Sequence, residues 1–255
     1  MAHIPRKRFG QHFLTHPGIL HELVAAIGPQ PDDRLVEIGP GLGALTEPLL
    51  ARTHHLTVIE LDRDLVAHWR QHPEAARLTV VEGDALGFDY ATLGRDLRLV
   101  GNLPYNISTP LLFHLATFSE HFTDAHFMLQ KEVVDRMVAE PATRDYGRLS
   151  VMLQYLFHLE ALMDVPPEAF TPPPKVHSGV VRLIPKTPAE HLALDESRFA
   201  RVVAQAFSQR RKMLRSTLKG MVPESLFARL GIDASRRAET LTLEEFVALA
   251  NAIQD

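Results

Sequence analysis

"RLVEIGPGLGALT", residues 34–46, decides the fold. It opens as a short apolar run that ends in a glycine. Three glycines then fall two residues apart, at 39, 41 and 43, and an apolar stretch follows. Such a run predicts a buried strand, a glycine turn and the start of a helix. Glycines in that turn let the backbone approach a ligand closely, and a helix N-terminus offers unpaired N–H groups to it.

The same punctuation repeats outward. "LTVIEL", "LTVVEG", "LRLVGN" and "AHFMLQ" are further strand-like runs, with helical stretches at about 43–52, 62–71, 108–118 and 131–140 between them. Thr46, Asp62 and Ser108 or Thr109 are the expected N-caps, and Pro110 suits a first helical turn. Strands that alternate with helices predict βαβ units and a parallel sheet. Beyond residue 147, "RLSVMLQYLFHLEALM" and "SGVVRLIP" predict two longer strands in an antiparallel edge hairpin. "IPKTPAEHL" (184–192) is a polar, proline-bearing break. Past it, helices are expected at 195–209, 210–219, 224–230 and 242–253, the last opened by a Thr242/Glu245 capping box. The expected division is therefore 1–185 for the sheet domain and 186–255 for a small all-helical domain.

Composition sets outer limits. Hydrophobic residues make up 45% and charged residues 23%, as in ordinary globular chains. There is no cysteine, which excludes disulfides and thiolate metal sites and suits a reducing compartment. No stretch has signal-peptide or membrane-span character, so a cytoplasmic protein with no membrane partner is expected. The net charge of −4 is unevenly spread. Residues 1–185 carry 16 Lys/Arg against 22 Asp/Glu, and residues 186–255 carry 11 against 9. From Arg198 to Pro223 there are seven basic residues and no acid. Arg6, Lys7 and Arg8 form a second cluster. Local clusters, rather than totals, attract phosphate backbones, although a solvated helix face has the same look.

Three positions carry chemistry at successive strand ends. Glu60 closes "LTVIE", where a carboxylate can accept both hydroxyls of a ribose. Asp84 follows the next strand and can accept from an adenine amine. With Ala44 in its last slot, the glycine turn also fits the permissive dinucleotide pattern. It therefore suits a nicotinamide or an S-adenosylmethionine (SAM) cofactor equally. "GNLPYNISTP" (101–110) ends the fourth strand of the series. Asn102 there offers a side-chain carbonyl, and a backbone carbonyl near Pro104 offers a second. Two such acceptors can hold the N–H bonds of a planar amine and favour a pyramidal nitrogen. Pro104 stiffens the loop and withholds an N–H. Tyr105 presents a ring on which a flipped base can stack.

"VEIGPGLGALT", "VIELD", "GDAL" and "GNLPYNIST" resemble the class I SAM-dependent methyltransferases that act on exocyclic amines. "RKRFGQHFL", "MLQKEVVDRMVA", "YGRLSVMLQ" and "AFTPPPKVHSGVVRL" narrow the resemblance to the ribosomal RNA adenine N6-dimethyltransferases. It runs from about residue 6 to residue 185 and continues more loosely beyond. The type it most resembles modifies two adjacent adenosines near the 3′ end of 16S rRNA. The fold this implies is a Rossmann-like α/β methyltransferase sheet with a small all-helical C-terminal domain. SAM is the implied cofactor, held by His12, Leu14, Gly39, Gly41, Glu60, Leu61, Asp84, Ala85 and Asn102. Many relatives have Asn where this chain has His12. Asn102, Leu103, Pro104 and Tyr105 are the implied amine-binding loop, with Phe170 stacking on the other face of the target adenine. The implied RNA contacts are Arg6, Lys7 and Arg8, joined by Arg210, Arg211, Lys212, Arg215 and Lys219 on one helix. The implied partner is the small ribosomal subunit or an assembly intermediate, bound by a monomer. The 14 histidines lack accompanying acids at ligand spacing, so no metal is expected.

Overall fold

The structure is a computed structural model that describes residues 12–253. In chain order its sheet strands are β2 (Arg34–Ile38), β3 (Leu56–Glu60), β4 (Leu78–Glu82), β5 (Leu97–Asn102), β6 (Phe122–Gln130), β7 (Phe157–Val165) and β9 (Ser178–Pro185). They lie in the order β4-β3-β2-β5-β6-β9-β7. β2 pairs in parallel with β3 and β5, β3 with β4, and β5 with β6. β9 runs antiparallel to β6. The helices of this part are α1 (Pro17–Ile27), α2 (Thr46–Leu50), α3 (Arg63–Arg70) and α4 (Ser108–Ala116). A second, two-stranded sheet joins β1 (Phe13–Leu14) to β8 (Phe170–Thr171), antiparallel.

Local chemistry explains where these elements stop and start. Asp62 caps α3 by accepting from the Asp64 N–H. Thr46 and Ser108 are first helical residues rather than caps, and Leu45 and Ile107 precede them with no side-chain cap bond. The Ser108 hydroxyl donates back to the Pro104 carbonyl instead. Behind α1, the Arg98 guanidinium pairs with Asp124 at 2.8 Å and with Asp33, and also donates to the Ile27 carbonyl at the helix C-terminus. The side chain thus satisfies an orphan helix carbonyl while its own charge is balanced twice.

The chain forms two compact units. One contains the residues up to 134 together with 159–185; the other contains 135–158 together with those from 186 on. The second unit therefore recruits a segment that sequence reading gave to the first. α6 (Arg148–Leu156) is the reason. Its buried residues include Leu149, Val151, Leu153 and Tyr155, an alternation that imitates a strand. The helix is buried over most of its circumference, so it shows no single apolar stripe. Its start is fixed by Gly147 N–H donating to Ser150 Oγ. Val151 and Tyr155 join Phe199, Val202, Phe227 and Phe246 in the core of this unit. Its other helices are α7 (Glu196–Ala206), α8 (Leu214–Thr217), α9 (Glu224–Leu230) and α10 (Leu243–Ala252), the last opened by the Thr242/Glu245 box. α5 (Lys131–Val138) crosses from one unit to the other.

α8 is much shorter than the helix expected at 210–219. Residues 210–212 form a turn and a bend, and from Met213 the backbone is diverted to another segment. Met213 bridges Arg237, Leu214 N–H donates to Arg236, and Arg215 N–H donates to Ala234. The basic residues there share no single helix.

One close approach holds β2 against β5. A Cβ added to Gly101 would stand 2.7 Å from the Ile38 carbonyl oxygen, which is backbone and has little freedom to yield. Gly101→Ala is expected to cost about 1–3 kcal/mol of stability, the usual range for overpacking. Urea unfolding followed by circular dichroism checks this, and an unchanged midpoint would contradict the close packing.

Candidate active site

The parallel strands bring their carboxyl ends to one edge of the sheet, and a cavity of about 210 Å³ opens there. Its wall is built in layers. The turn after β2 supplies Gly39, Gly41 and Gly43, all at positive φ. Gly39 N–H continues the ladder by donating to Ile59. Gly43 packs so tightly on Trp69 that a Cβ would stand 2.7 Å from its ring. The Trp69 indole N–H donates to the Gly41 carbonyl at 3.1 Å and so pins the turn from behind.

Glu60 closes the wall at β3. One carboxylate oxygen accepts from the Leu61 and Asp62 N–H groups, both at 2.9 Å, and the other from Gly41 N–H at 3.4 Å. Burial raises its pKa, and those three N–H donors pull against the rise. Asp84, beyond β4, is exposed and is turned by the Leu86 N–H at 2.9 Å. A fixed carboxylate and a second, open one stand side by side at neighbouring strand ends. That pair suits a ribose diol and an adenine amine, the two polar edges of an adenosine.

The third layer is the loop after β5. Leu103 N–H donates to the Met128 carbonyl, which anchors the loop to β6. The Asn102 amide donates through Nδ2 to the His12 carbonyl at 2.9 Å, so its side-chain oxygen is presented as an acceptor. The Tyr105 hydroxyl and the Ser178 hydroxyl lie 2.6 Å apart, fixing the ring. Burial raises the Tyr105 pKa, so the phenol stays neutral.

The β1 segment roofs the cavity. Phe13 lies close above Gly41, and Leu14 pairs with Phe170. His12 stacks on Tyr105 with ring centroids 5.6 Å apart and planes inclined by 25°. Its Nδ1 donates to the Pro172 carbonyl at 2.8 Å.

Of the residues singled out in the sequence, His12, Leu14, Gly39, Gly41, Glu60, Leu61, Asp84, Ala85, Asn102, Leu103, Pro104 and Tyr105 all line this cavity. Phe170 does not. It is 2% exposed and sits in the apolar core with Leu14 and Met128. Arg210, Arg211, Lys212, Arg215 and Lys219 are exposed in the second unit. Arg210 there is already tied to the Arg144 carbonyl and to Glu239. Arg6, Lys7 and Arg8 lie outside the described residues. Among the described residues, no group of three His, Asp or Glu side chains stands at metal-binding separation.

Sequence reading missed Glu37. It lines the cavity yet is 1% exposed, and its Oε2 has no hydrogen-bond partner. Burial pushes its pKa up to about 8; the Thr46 hydroxyl opposes the rise, and the Glu60 charge adds to it. The signal was present in the sequence: an acid in the middle of an otherwise apolar central strand.

Comparison with known proteins gives this cavity a context. The family described as "Ribosomal RNA adenine dimethylase" matches residues 2–255. Ribosomal RNA small subunit methyltransferase A of Thiobacillus denitrificans is 62% identical over 247 residues, covering 97% of each chain. The protein of the same name from Dechloromonas aromatica is 58% identical over 250 residues, covering 98% of each. Among solved structures, a dimethyladenosine transferase from Plasmodium falciparum superposes with a TM-score of 0.79 at 27% identity, covering 93% of this chain and 96% of that one. The 23S rRNA methyltransferase ErmE superposes at 0.72 with 25% identity, covering 94% and 99%. With a family match over residues 2–255 and relatives that cover nearly the whole chain, the chain belongs to the ribosomal RNA adenine dimethylase family.

Proposed function

We propose that this chain transfers methyl groups from SAM to the N6 atoms of two adjacent adenosines near the 3′ end of 16S rRNA, in the small subunit or an assembly intermediate. One observation carries the reading. The Asn-Leu-Pro-Tyr loop stands at the end of β5 in the same cavity as Glu60 and Asp84. An amine-holding loop and an adenosine-holding wall therefore open into one space. The relatives at 58% and 62% identity bear the small-subunit name, whereas the 23S enzyme stands at 25%.

When bound, SAM supplies an electrophilic methyl group on a sulfonium. The protein's task is to align the incoming amine and shield it from water. An adenine N6 amine is a weak nucleophile because its lone pair is delocalised into the ring. Asn102 Oδ1 accepts one N–H of that amine. The Pro104 carbonyl already accepts from the Ile107 N–H and the Ser108 hydroxyl. The second acceptor is therefore the Leu103 carbonyl, one residue earlier in the loop. Two acceptors on one side favour a pyramidal nitrogen with its lone pair directed at the methyl group. Tyr105, held by Ser178, offers its face to the ring. No strong base is required, because the nitrogen becomes acidic once alkylated. Glu60 accepts from the ribose and Asp84 from the cofactor's adenine amine. His12, Leu14, Gly39, Gly41, Leu61 and Ala85 enclose the rest.

Phe170 joins the second face of the target base only if it leaves the core. The basic residues of the second unit hold rRNA phosphates, giving affinity without sequence readout. Arg6, Lys7 and Arg8 are assigned the same role, and the working form is a monomer.

Four measurements test this reading. Labelled SAM and unmethylated small-subunit particles should give dimethyladenosine at two adjacent positions, mapped by primer extension. Label in large-subunit RNA instead would overturn the substrate assignment. Asn102→Ala should lower the methylation rate by about 10²–10³-fold, the scale of one lost preorganised polar contact. Combined alanine substitution of Arg211, Lys212, Arg215 and Lys219 should flatten the salt dependence of particle binding. Each lost phosphate contact should take roughly 0.7–0.9 from the log–log slope. Phe170→Ala separates the two roles of that ring. A core role predicts about 3–5 kcal/mol of lost stability, while a stacking role alone predicts slower methylation at unchanged stability.

A further inference from the structure

The order of the strands orders the cavity. Asp84 follows β4, Glu60 ends β3 and Asn102 ends β5, while β2 lies between β3 and β5. On the reading above, adenine lies at β4, the ribose at β3 and the target amine at β5. The reacting sulfur and the methionine arm then fall at β2. Side-chain parity sharpens the placement. Glu37 pairs with Val58 and with Val100, and residues paired in parallel register share a face. Two residues on from those valines are Glu60 and Asn102. Glu37 therefore points to the same face as both, one pleat deeper.

A carboxyl at that depth is out of place unless something charged comes to meet it. Glu37 is flanked by Val58 and Val100, and Leu14, Leu23 and Met128 line the same cavity. The Thr46 hydroxyl of α2 is buried beside Glu37 and favours its charged form, yet Glu37 Oε2 is left without a hydrogen bond. Glu60, across β3, is the titratable group whose charge reaches Glu37, and it opposes a second negative charge. An ionised Glu37 in the empty cavity would have the Thr46 hydroxyl beside it but neither solvent nor an opposite charge. The cofactor's methionine arm brings one full cation of its own, the α-ammonium.

Resting on the SAM reading of this cavity, we propose that Glu37 is the counter-charge for the α-ammonium of the methionine arm. It holds a proton while the cavity is empty and releases it to solvent as the cofactor enters. The burial-raised pKa of about 8 agrees with a neutral carboxyl at physiological pH. The O–H bond of Glu37 breaks, the proton leaves to buffer, and the carboxylate pairs with an ammonium that was already charged. No oxidant or further reactant is involved.

The test is isothermal titration at pH 6.5 in two buffers of different ionisation enthalpy. At that pH an ordinary α-amine, with pKa of about 7.7–8.0, is already protonated, so any released proton comes from the protein. The ligands are SAM, S-adenosylhomocysteine, which lacks the sulfonium charge but keeps the ammonium, and 5′-methylthioadenosine, which lacks the amino-acid arm. About one proton should be released with each of the first two and none with the third. Between pH 6 and 7, S-adenosylhomocysteine affinity should then rise about tenfold. In Glu37→Gln the proton release should vanish. Both arm-bearing ligands should weaken by about tenfold or more, while 5′-methylthioadenosine stays within about twofold. The wild-type measurements stand alone if the variant fails to fold. Tight binding of SAM and S-adenosylhomocysteine without proton release would overturn the proposal, as would release that persists in Glu37→Gln. Failure of either ligand to bind would instead overturn the SAM reading itself.

Discussion

Strands β2 and β5 lie side by side because Gly101 has no Cβ to meet the Ile38 carbonyl. The site depends on that contact. β2 continues in sequence to β3 and β4 on one side, whereas β5 starts the opposite half with β6. Loops after β2 and β5 therefore diverge, and a crevice opens where the chain reverses its direction of growth across the sheet. The glycine turn lines one wall and the Asn-Leu-Pro-Tyr loop the other. A wider spacing between these strands would separate the group that donates a methyl from the group that receives it.

Parallel register then distributes the chemistry. Each strand end supplies one polar side chain, and each is oriented by backbone rather than by another side chain. Glu60 is held by three N–H groups, and Asp84 by one. Asn102 is turned by the His12 carbonyl. Backbone partners are insensitive to substitution of the residue that supplies them. The contact to Asn102 uses the His12 main chain, and the imidazole is left to pack on Tyr105.

Much of this was legible in the sequence because it rests on short-range signals. Glycines two apart, an acid at a strand end and Asn-Leu-Pro-Tyr each combine a backbone requirement with a chemical one, within a few residues. What escaped depends on long-range burial. α6 read as a strand because burial around most of its surface erased its stripe. The basic run at 210–219 read as one helix because the partner of its backbone lies some 20 residues on, at 234–237. The resemblance gave Phe170 to the face of the target adenine, yet its ladder to Leu14 places it in the core. Glu37 passed as an ordinary strand residue, although an acid inside an apolar central strand was the local sign of it.

Trp69 gives the fold one more property. It is the chain's one tryptophan, fully buried, and its indole N–H holds the Gly41 carbonyl in the turn that forms the cavity wall. Its ring also touches Gly43. Indole emission shifts with the strength of its hydrogen bond and with the packing around it. The molecule therefore carries an intrinsic optical probe on the rear of its glycine turn, and any ligand that tightens that turn should report its arrival in the emission of a single residue.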